Sequence, residues 1–596
     1  MRYLKYLTHS ILALLLTANM LACGGGTESS EEKNNLSSMQ SMETLDPHQM
    51  DDVPLAINLA EQREEASQTS EEPLDSVVTP AESEASPTNK SHVNLTGTVT
   101  YDRVNFQSRL FRGLDYDNIQ VMPARGVTVW LVNAQGKTID NTKTNERGEY
   151  SFTAPIETAV QVRVVAHIES EGNGVWSIQV KDNTNNSALY VMDGSLVSSG
   201  NNDTQTRNLH ADSGWVNRGY NSSRTAAPFA IIDSLYDAVK AVFDAKPDAV
   251  LPPLNVFWSS ENIAIGGSLS EGKIGTSFYT SAGPSIYLLG KANNDSDEYD
   301  RAVIQHEFGH FIEHQLSRTE SLGGSHNVNS LLDMRVAFGE AWGNAFAGMV
   351  SNDPLYRDSL GDDQGLGFTI NVQSRTFGLQ GWFSEGSIQS VLFNLFDDED
   401  SPSDEISLGF ASVFRALTSQ AYIDYDGFAS IYPFVEVLKQ QNPELTHKID
   451  DLVSSYQIFG TGFYGEGETS DAGSDITLPV YNNLRLGETV EVCSDSAGQN
   501  HNGVDVYRMI KVDLDRRSTY NFNVNKTQSF VLDTNPQMRL YSKGERIASF
   551  TSSSGSSEAA TITLDSGTYI LEVYEQSNAV RNDNSGGLAC FNVSVN

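Results

Sequence analysis

The chain has 596 residues, with 77 acidic and 39 basic side chains that give a formal net charge of −38 at neutral pH. So acidic a protein is repelled by the phosphates of nucleic acids and by anionic lipid headgroups, which excludes both as electrostatic partners. A chain of this length is expected to form several domains.

The N-terminus carries the pattern of an export signal. Arg2 and Lys5 precede an apolar run from Ile11 to Leu16, which is too short for a stable membrane-spanning helix. The stretch that ends at Cys23 resembles a bacterial lipoprotein signal, with residues 1–22 as the signal peptide. The resemblance implies that Cys23 begins the mature protein and carries lipid, anchoring it in the cell envelope at the outer membrane or cell surface. A plain secretory signal with a free Cys23 is the alternative.

Two segments without predicted chemistry follow. Residues 23–90 are rich in Ser, Glu, Asp, Gln and Asn and have no sustained apolar period, which predicts a disordered acidic tether. Residues 91–170 hold alternating β-rich runs between turns, and this pattern resembles the carboxypeptidase-regulatory-like β-sandwich, a spacer or binding platform in secreted proteins. A β-rich connector is predicted for residues 171–224.

The most informative motif lies at residues 306–310, His-Glu-Phe-Gly-His, inside a helix predicted for residues 299–318. On a helix, His306 and His310 leave the same face one turn apart and can both bind one metal ion. Glu307 would flank that ion, take a proton from the metal-bound water and later pass it to a leaving amine. A coincidental amphipathic helix is the alternative interpretation. The motif predicts a zinc hydrolase site.

A third protein ligand must come from elsewhere in the chain. Leu316 stands where the extended pattern of metzincins has a third His, and Glu313 stands where it has Gly. A second helical pattern at residues 337–348 is rich in Gly and Ala, which would let it lie close against the first helix. It carries Glu340, our preferred third ligand, whereas Glu320 and Asp333 are the alternatives.

With these residues the chain resembles the gluzincins, zinc peptidases of the thermolysin-like and fungalysin-like kind. The resemblance implies an α+β zincin-like catalytic domain for residues 225–475, with a β-sheet lobe, the HExxH helix and a mostly α second lobe. It also implies Zn²⁺ as cofactor and protein or peptide substrates. In that class an acid often holds the first His four positions after the Glu ligand. That position is Asn344 here, whose carbonyl can accept the imidazole N–H without adding negative charge.

Two further parts of a gluzincin site have candidates. His326, between the two helices, is our candidate for the donor that stabilises the oxyanion, with an ordinary loop His as the alternative. A strand at residues 285–290 is the candidate for the edge strand that pairs with an extended substrate, with a core strand as the alternative. His314 is predicted to be structural, because it lies one more turn along the helix.

The second lobe is predicted to be helical at residues 387–396, 408–419, 427–440 and 445–456, after a first helix at residues 227–243. Glu385 could contribute to the cleft, but a packing helix with an exposed Glu385 is the preferred interpretation. Acid-rich loops at residues 293–297 and 397–400 are candidate Ca²⁺ ligands, although neither has EF-hand spacing.

Residues 476–596 return to strands and turns and resemble the bacterial pre-peptidase C-terminal domain, a β-sandwich often appended to secreted peptidases. In that family the domain is removed on maturation or binds substrate polymers. If Cys23 carries lipid, Cys493 and Cys590 remain, and outside the cytoplasm we expect them to form a disulfide.

The sequence thus predicts a lipid-anchored zinc endopeptidase with a catalytic domain between two β-sandwiches. The alternatives are a catalytically inactive, zinc-containing binding or adhesive lipoprotein and a structural surface protein. Retention of Glu307 argues against both, because a structural zinc site does not need a base beside an open coordination position.

Overall fold

The computed structural model describes residues 55–59, 90–109, 112–170, 174–374, 378–398, 406–496, 500–531, 533–552, 555–580 and 586–596. The predicted signal peptide, Cys23 and nearly all of the predicted tether lie outside these residues. The strand Leu55–Leu59 is described, and it pairs in parallel with Ala188–Asp193. The expectation of an unstructured tether is wrong for these five residues, whose Leu-Ala-Ile-Asn-Leu alternation is too short to stand out from the polar segment around it.

The strands of the N-terminal half form two sheets. In chain order they are β1 (Leu55–Leu59), β2 (His92–Arg103), β3 (Gln120–Pro123), β4 (Thr128–Asn133), β5 (Thr138–Lys143), β6 (Glu149–Pro155), β7 (Ala159–Val165), β8 (His167–Glu169), β9 (Ser177–Asp182), β10 (Ala188–Asp193), β11 (Val197–Ser198), β12 (Thr204–Thr206), β13 (Leu209–Ala211), β14 (Leu254–Trp258), β15 (Phe278–Thr280) and β16 (Ser285–Leu288). Alternating burial along β2 and β6 gives each an apolar inner face.

One large sheet has the order β15-β16-β14-β9-β10-β7-β4-β5, while β2 is the centre of a second sheet that includes β3, β6, β12 and β13. The larger sheet continues across residue 170, where the sequence predicted the end of a β-sandwich. Its β14 pairs in parallel with both β9 and β16. Strands from the two sides of that predicted boundary therefore share one sheet.

The helices are α1 (Ala227–Ala245), α2 (Arg301–Leu316), α3 (Met334–Ser351), α4 (Glu385–Phe396), α5 (Gly409–Leu417), α6 (Gln420–Ile423), α7 (Ile431–Gln441) and α8 (Thr446–Ser455). Each helix predicted from the sequence is confirmed with small shifts of its ends, while α6 is additional. Asp333 precedes α3 and accepts the backbone N–H of Arg335 at 3.0 Å, a helix cap. Among the residues that the structure describes, we find no helix with the length and apolar character that a membrane crossing requires.

A small sheet lies beside the start of α2. It contains β17 (Gly290–Lys291), β18 (Asp295–Ser296), β19 (Leu355–Leu360) and β20 (Leu366–Asn371), hydrogen-bonded in that order. The antiparallel pairing of Asp295 with Leu360 joins the segment before α2 to the segment after α3.

The C-terminal strands form two antiparallel-rich sheets with a shared apolar core. The strands are β21 (Tyr481–Leu484), β22 (Thr489–Ser494), β23 (Tyr507–Leu514), β24 (Ser518–Ser529), β25 (Pro536–Ser542), β26 (Glu545–Phe550), β27 (Ser557–Leu564), β28 (Gly567–Glu575) and β29 (Ala589–Val595). The sheet orders are β21-β23-β28-β25-β26 and β22-β29-β24-β27, and residues of both sheets share one hydrophobic cluster. This sandwich-like arrangement agrees with the predicted β-sandwich.

The predicted disulfide is confirmed. Cys493 of β22 and Cys590 of β29 are bonded, and they lie directly opposite each other in the antiparallel pairing of the two strands. The bond links positions 97 residues apart within the C-terminal unit, so it restricts the unfolded chain over most of that unit.

Candidate metal centre

Two glycines let α2 and α3 approach each other closely. A Cβ atom at Gly343 would lie 2.7 Å from the ring of His306, and one at Gly309 would lie 3.3 Å from the Cα atom of Gly343. The indole Nε1 of Trp342 donates to the carbonyl oxygen of Gly309 at 3.0 Å. The prediction that small residues let the second helix lie against the first is confirmed.

The three predicted ligands meet at this helix crossing. The Nε2 atoms of His306 and His310 are 3.0 Å apart. Oε2 of Glu340 lies 3.4 Å from Nε2 of His306 and 3.3 Å from Nε2 of His310. Bonds of about 2.0–2.1 Å in a tetrahedral zinc site put neighbouring ligand atoms roughly 3.3 Å apart. The nitrogen and oxygen atoms present therefore fit three corners of a zinc tetrahedron.

Exposure differs among these ligands. The side chains of His306 and Glu340 are 2% and 4% exposed, whereas that of His310 is 16% exposed. Glu307 is fully buried in the same turn of α2. The cluster is thus closed on the side of α3 and reaches solvent beside His310, which leaves an approach for water or a ligand.

Asn344 orients the ring of His306. Its Oδ1 lies 2.9 Å from Nδ1 of His306, and its Nδ2 donates to Oε1 of Gln389 at 2.9 Å. Because Gln389 occupies the amide N–H, the Asn344 carbonyl is the group that faces the imidazole, and it accepts the Nδ1 proton. This leaves Nε2 of His306 unprotonated on the side of the cluster.

The charges of the cluster favour a cation. Burial lowers the pKa of His310, but the carboxylates of Glu340, Glu313 and Glu307 outweigh it and raise the pKa well above its ordinary value. Burial raises the pKa of Glu340, yet His326 and His310 together hold that pKa well below its ordinary value. Positive charge is stabilised at this point of the fold.

His326 belongs to the same site. Its Nε2 lies 3.3 Å from Oε2 of Glu340, and its Nδ1 lies 2.7 Å from Oε2 of Glu385. Burial lowers the pKa of His326, and the carboxylates of Glu340 and Glu385 raise it, with a net value of about 9. His326 is therefore held between two acids with a proton available for donation.

The buried position of Glu385 contradicts the preferred sequence interpretation. The preferred prediction was an exposed Glu on a packing helix, but Glu385 is 2% exposed and pairs with His326. An acid in the first turn of a helix usually faces solvent and interacts with the helix dipole. Here the loop that carries His326 covers that turn, which the local sequence of α4 does not reveal.

The alternative third ligands have other partners. Glu320 accepts from Nε of Arg318 at 2.8 Å and from the backbone N–H of Ala429 at 2.7 Å. Asp333 caps α3 and pairs with the guanidinium of Arg335. Within the described part of the chain, the ligand group at this crossing comprises His306, His310 and Glu340.

The C-terminal sandwich holds the loop that carries His326. Nδ2 of Asn502 donates to the carbonyl oxygens of Gly323 and Ser325 at 3.0 and 3.1 Å. At the start of α3, the buried Arg335 pairs through Nη1 with Glu572 of β28 at 2.8 Å. The sandwich is thus packed against both the loop and the helix that form the site.

Of the two interpretations of the strand at residues 285–290, the structure supports the core strand and contradicts the edge strand. Ser285–Leu288 lies inside the sheet, paired on one side with Leu254–Trp258 and on the other with Phe278–Thr280. Phe278–Thr280 is the edge strand at this end of the sheet. Strand order depends on pairing between distant segments, which a local sequence pattern does not encode. The hydroxyl of Tyr279 on this strand lies 3.3 Å from Nδ1 of His314, which gives His314 a contact away from the ligand group.

A second cluster, made of carboxylates, lies at the start of α2. Asp295, Asp297 and Asp358 each offer an oxygen, and these oxygens lie within 4.8 Å of one another. Asp300 is fully buried beside them and accepts the backbone N–H of Ser359 at 2.6 Å. The predicted acidic loop therefore contributes two of its residues here. In the other loop, Glu399 and Asp400 lie outside the described residues.

These carboxylates repel one another. One oxygen of each of Asp295, Asp297 and Asp358 has no hydrogen-bond partner among the described residues, and Asp297 is only 2% exposed. Burial raises the pKa values of all three groups and of Asp300 well above their ordinary range, and mutual repulsion adds to this. Oxygen-only ligands of this kind suit a hard divalent cation.

The sequence interpretation missed Gln389 and Asp358, and it named Glu385 as a possible contributor to the cleft but preferred an exposed Glu on a packing helix. Glu385 and Gln389 lie four residues apart on α4. Side chains at this spacing share one face of a helix, and two polar side chains there were the signal that this face meets the site. Glu313, whose Oε2 lies 3.8 Å from Nδ1 of His310, was noted only as a departure from another motif. Asp358 had no local signal, because it comes from a hairpin beyond α3.

Comparison with known proteins finds only weak similarities. No protein-family model matches the chain, and no curated protein sequence matches it. Among solved structures, the pre-peptidase C-terminal domain of a Bacillus anthracis collagenase is 16% identical over 20% of this chain and 94% of its own, with a TM-score of 0.15. The g-type lysozyme inhibitor PliG of Aeromonas hydrophila is 14% identical over 20% of this chain and 97% of its own, with a TM-score of 0.13.

A third partial similarity is to CorA, a surface-associated copper-binding protein of Methylomicrobium album BG8. It is 10% identical over 20% of this chain and 98% of its own, with a TM-score of 0.15. The similarity to a pre-peptidase C-terminal domain is thus weak and covers a fifth of the chain.

Proposed function

We propose that the protein is a zinc-dependent peptidase of the gluzincin type, with a zincin-like catalytic domain. The observation that carries this proposal is the meeting of His306, His310 and Glu340 at spacings that suit tetrahedral zinc, with Glu307 buried in the same helix turn. A structural zinc site is normally closed by four protein ligands, whereas three ligands and an adjacent carboxylate are typical of a hydrolytic site.

The chain's own groups account for the proton transfers of peptide hydrolysis. Zinc, when bound, supplies a Lewis acid that lowers the pKa of a bound water. Glu307 takes one proton from the water as its oxygen forms a bond to the peptide carbonyl carbon. Glu307 then delivers that proton to the amide nitrogen as the C–N bond breaks, which gives a carboxylic acid and an amine. The second proton of the water passes from the acid to the amine, so that the products are a carboxylate and an ammonium group.

His326 is proposed to donate a hydrogen bond from Nε2 to the oxyanion that develops on the carbonyl oxygen. Glu385 holds Nδ1 of His326 at 2.7 Å and so fixes the direction of the ring. Such a preorganised donor acts only as the charge develops, which lowers the barrier rather than tightening substrate binding.

The edge strand Phe278–Thr280 is proposed to pair with an extended peptide substrate. It is hydrogen-bonded on one side to Ser285–Leu288 and lies at the end of its sheet. The backbone groups of an edge strand can add one more strand, which gives affinity without demanding a particular side chain.

We also propose that the peptidase is a lipoprotein of the cell envelope, anchored through lipid on Cys23. The support is the sequence pattern before Cys23, since this residue lies outside the described part of the chain. Mass spectrometry of the N-terminal peptide tests the proposal. A diacylglycerol-modified Cys23 is expected, whereas an unmodified mature N-terminus elsewhere would contradict it.

The carboxylate cluster is proposed to bind Ca²⁺. Four carboxylates are expensive to bury together, three of them with an oxygen that has no hydrogen-bond partner among the described residues, and a divalent cation removes the repulsion. Because Asp300 immediately precedes α2 and Asp358 lies on β19, the ion would tie the zinc-binding helix to the hairpin after α3. Ca²⁺ therefore has a stabilising role in this proposal and takes no part in catalysis.

The proposed activity is tested with the purified full chain and a quenched fluorescent peptide library. Chelator-sensitive hydrolysis is expected, and Glu307→Gln should lose about 10²–10⁴-fold in kcat/KM while keeping a full equivalent of zinc. Glu466→Gln, on an exposed turn, is the matched control and should be fully active. Bound zinc with no hydrolysis of any peptide would contradict the peptidase and favour a zinc-containing binding protein.

A further inference from the structure

Arg103, the last residue of β2, is a buried cation that forms no ion pair with a carboxylate of the described residues. It is 6% exposed. Its Nη2 donates to the carbonyl oxygen of Tyr299 at 2.9 Å. Its Nε and Nη1 have no hydrogen-bond partner among the described residues. A buried charge without a compensating partner is strongly destabilising. The guanidinium therefore points to a missing anion.

The space next to Arg103 is a cavity of about 330 Å³. Its walls include Arg103, Tyr299, Arg301, Ser351, Tyr356 and Arg357. Small-molecule sites typically begin near 300 Å³, so the cavity has room for a small organic acid as well as for an inorganic anion.

The carboxylates around the cavity are already engaged with other cations. Asp353 pairs with Nη1 of Arg357 at 2.8 Å. Asp233 pairs with Nε of Arg125 at 2.7 Å and lies 3.8 Å from Nη2 of Arg301. The Nε of Arg301 has no partner among the described residues. Nη1 of Arg301 also pairs with Asp237 at 3.4 Å. The lining of the cavity still has three arginines, Arg103, Arg301 and Arg357, against one carboxylate, Asp353, so it carries an excess of N–H donors and positive charge.

Arg103 and Arg301 also act on each other. Burial lowers the pKa of Arg103 and the nearby charge of Arg301 lowers it further, while the charges of Tyr101, Asp233 and Asp300 oppose this without cancelling it. An anion between the two guanidinium groups would remove both the repulsion and the unsatisfied N–H groups, in the way that arginine clusters recognise carboxylates and phosphates.

We propose that this cavity binds the carboxylate or phosphate group of a small molecule, with Arg103 as the main contact and Arg301 as the second. The proposal concerns a site separate from the metal centre and does not depend on the peptidase function. Tyr356 lines the cavity, and its ring centroid is 6.0 Å from that of His306. One side chain thus separates the occupant from the metal centre.

Isothermal titration calorimetry on the full chain tests the proposal with inorganic phosphate, acetate and citrate at constant ionic strength. At least one of them should bind saturably with a stoichiometry of one. Arg103→Gln and Arg301→Gln should each weaken that binding by at least about tenfold, since hydrogen bonds to charged groups are worth about 1.5–3 kcal/mol. Arg485→Gln, whose side chain is 85% exposed on the C-terminal sandwich, is the matched control.

The probes also separate the two chemical sources. Saturable binding of phosphate alone identifies a phosphate-bearing ligand. Saturable binding of acetate or citrate identifies a carboxylate ligand. Either result supports the proposal. If Arg103→Gln fails to fold, Arg301→Gln decides by the same tenfold criterion. Absence of saturable binding by all three anions, or unchanged affinity in Arg301→Gln and in folded Arg103→Gln, overturns it.

Discussion

Two clusters of candidate ligands lie near helix α2, one at its middle and one just before its start, and they differ in the atoms they offer. In its middle, His306 and His310 join Glu340 to present two imidazole nitrogens and one oxygen. At its start, Asp295, Asp297 and Asp358 present oxygens only. Imidazole with a single carboxylate suits zinc, and carboxylates alone suit Ca²⁺. In our proposal, the type of ligand atom rather than the amount of charge decides which ion each cluster binds.

The two clusters also differ in what holds them. Asn344 orients the ring of His306, and His326, which pairs with Glu385, lies 3.3 Å from the carboxylate of Glu340. Among the carboxylates, Asp300 accepts from the hydroxyl and backbone N–H of Ser359, whereas one oxygen each of Asp295, Asp297 and Asp358 has no hydrogen-bond partner in the described part of the chain. Loss of metal should therefore leave the first cluster ordered and should loosen the second.

We expect the largest effect from Glu340→Ala, which should lower the zinc content of the protein without affecting the carboxylate cluster. Glu340→Ala removes one of three protein ligands, so the purified protein should contain less than 0.1 equivalent of zinc by mass spectrometry, an estimate of roughly a tenfold loss. Its Ca²⁺-dependent thermal stabilisation should be unchanged. Glu320→Gln is the matched control and should keep a full equivalent. Full zinc in Glu340→Ala with loss in Glu320→Gln would move the third ligand to Glu320.

The next effect concerns His326 and its partner. His326→Gln should lower kcat by about 10²–10³-fold, the usual cost of one oxyanion donor, while KM and zinc content stay near those of the wild type. Glu385→Gln keeps the shape but loses the charge, and its kcat should fall less. Zinc loss in His326→Gln would instead make His326 a ligand, and unchanged kcat in both variants would remove it from catalysis.

A third prediction addresses the carboxylate cluster. With Ca²⁺ at 100 times its Kd, wild-type protein should gain about 2.7 kcal/mol in the free energy of unfolding over chelated protein. Asp297→Asn should lose most of this gain and keep its zinc. Asp451→Asn, on an exposed position of α8, is the control. Equal denaturation midpoints with and without Ca²⁺ for the wild type would contradict a calcium site.

The smallest expected effect comes from replacing Asn344, which tests what its side-chain amide does at the proposed zinc site. Asn344→Leu removes the acceptor for Nδ1 of His306 and should weaken zinc affinity about 10–100-fold in competition with a chromogenic chelator. Asn344→Asp restores an acceptor and adds negative charge, so its affinity should equal or exceed that of the wild type. Unchanged affinity in Asn344→Leu would show that the helix crossing alone fixes the ring.

Much of the metal centre could be predicted because its signals are local. His306 and His310 are four positions apart on one helix, and the small residues around Glu340 indicated a helix that packs closely. The helices of the second lobe and the Cys493–Cys590 bond were equally accessible, since amphipathic periodicity and cysteine count are properties of the chain itself.

The remaining features depend on contacts between distant segments. Ser285–Leu288 has the composition of an edge or a core strand, and only the pairing of Phe278–Thr280 beside it decides between them. Glu385 becomes buried because a loop from before α3 covers the first turn of α4. The C-terminal sandwich resembles a detachable module in its pattern, yet Asn502 and Glu572 connect it to the site.

The most direct test is an anomalous difference map at the zinc absorption edge from crystals grown with both Zn²⁺ and Ca²⁺. The account predicts one strong peak about 2.0–2.2 Å from Nε2 of His306, Nε2 of His310 and a carboxylate oxygen of Glu340. It predicts no zinc peak among Asp295, Asp297 and Asp358. A zinc peak confined to the carboxylates, or no peak between the two imidazoles, would contradict it.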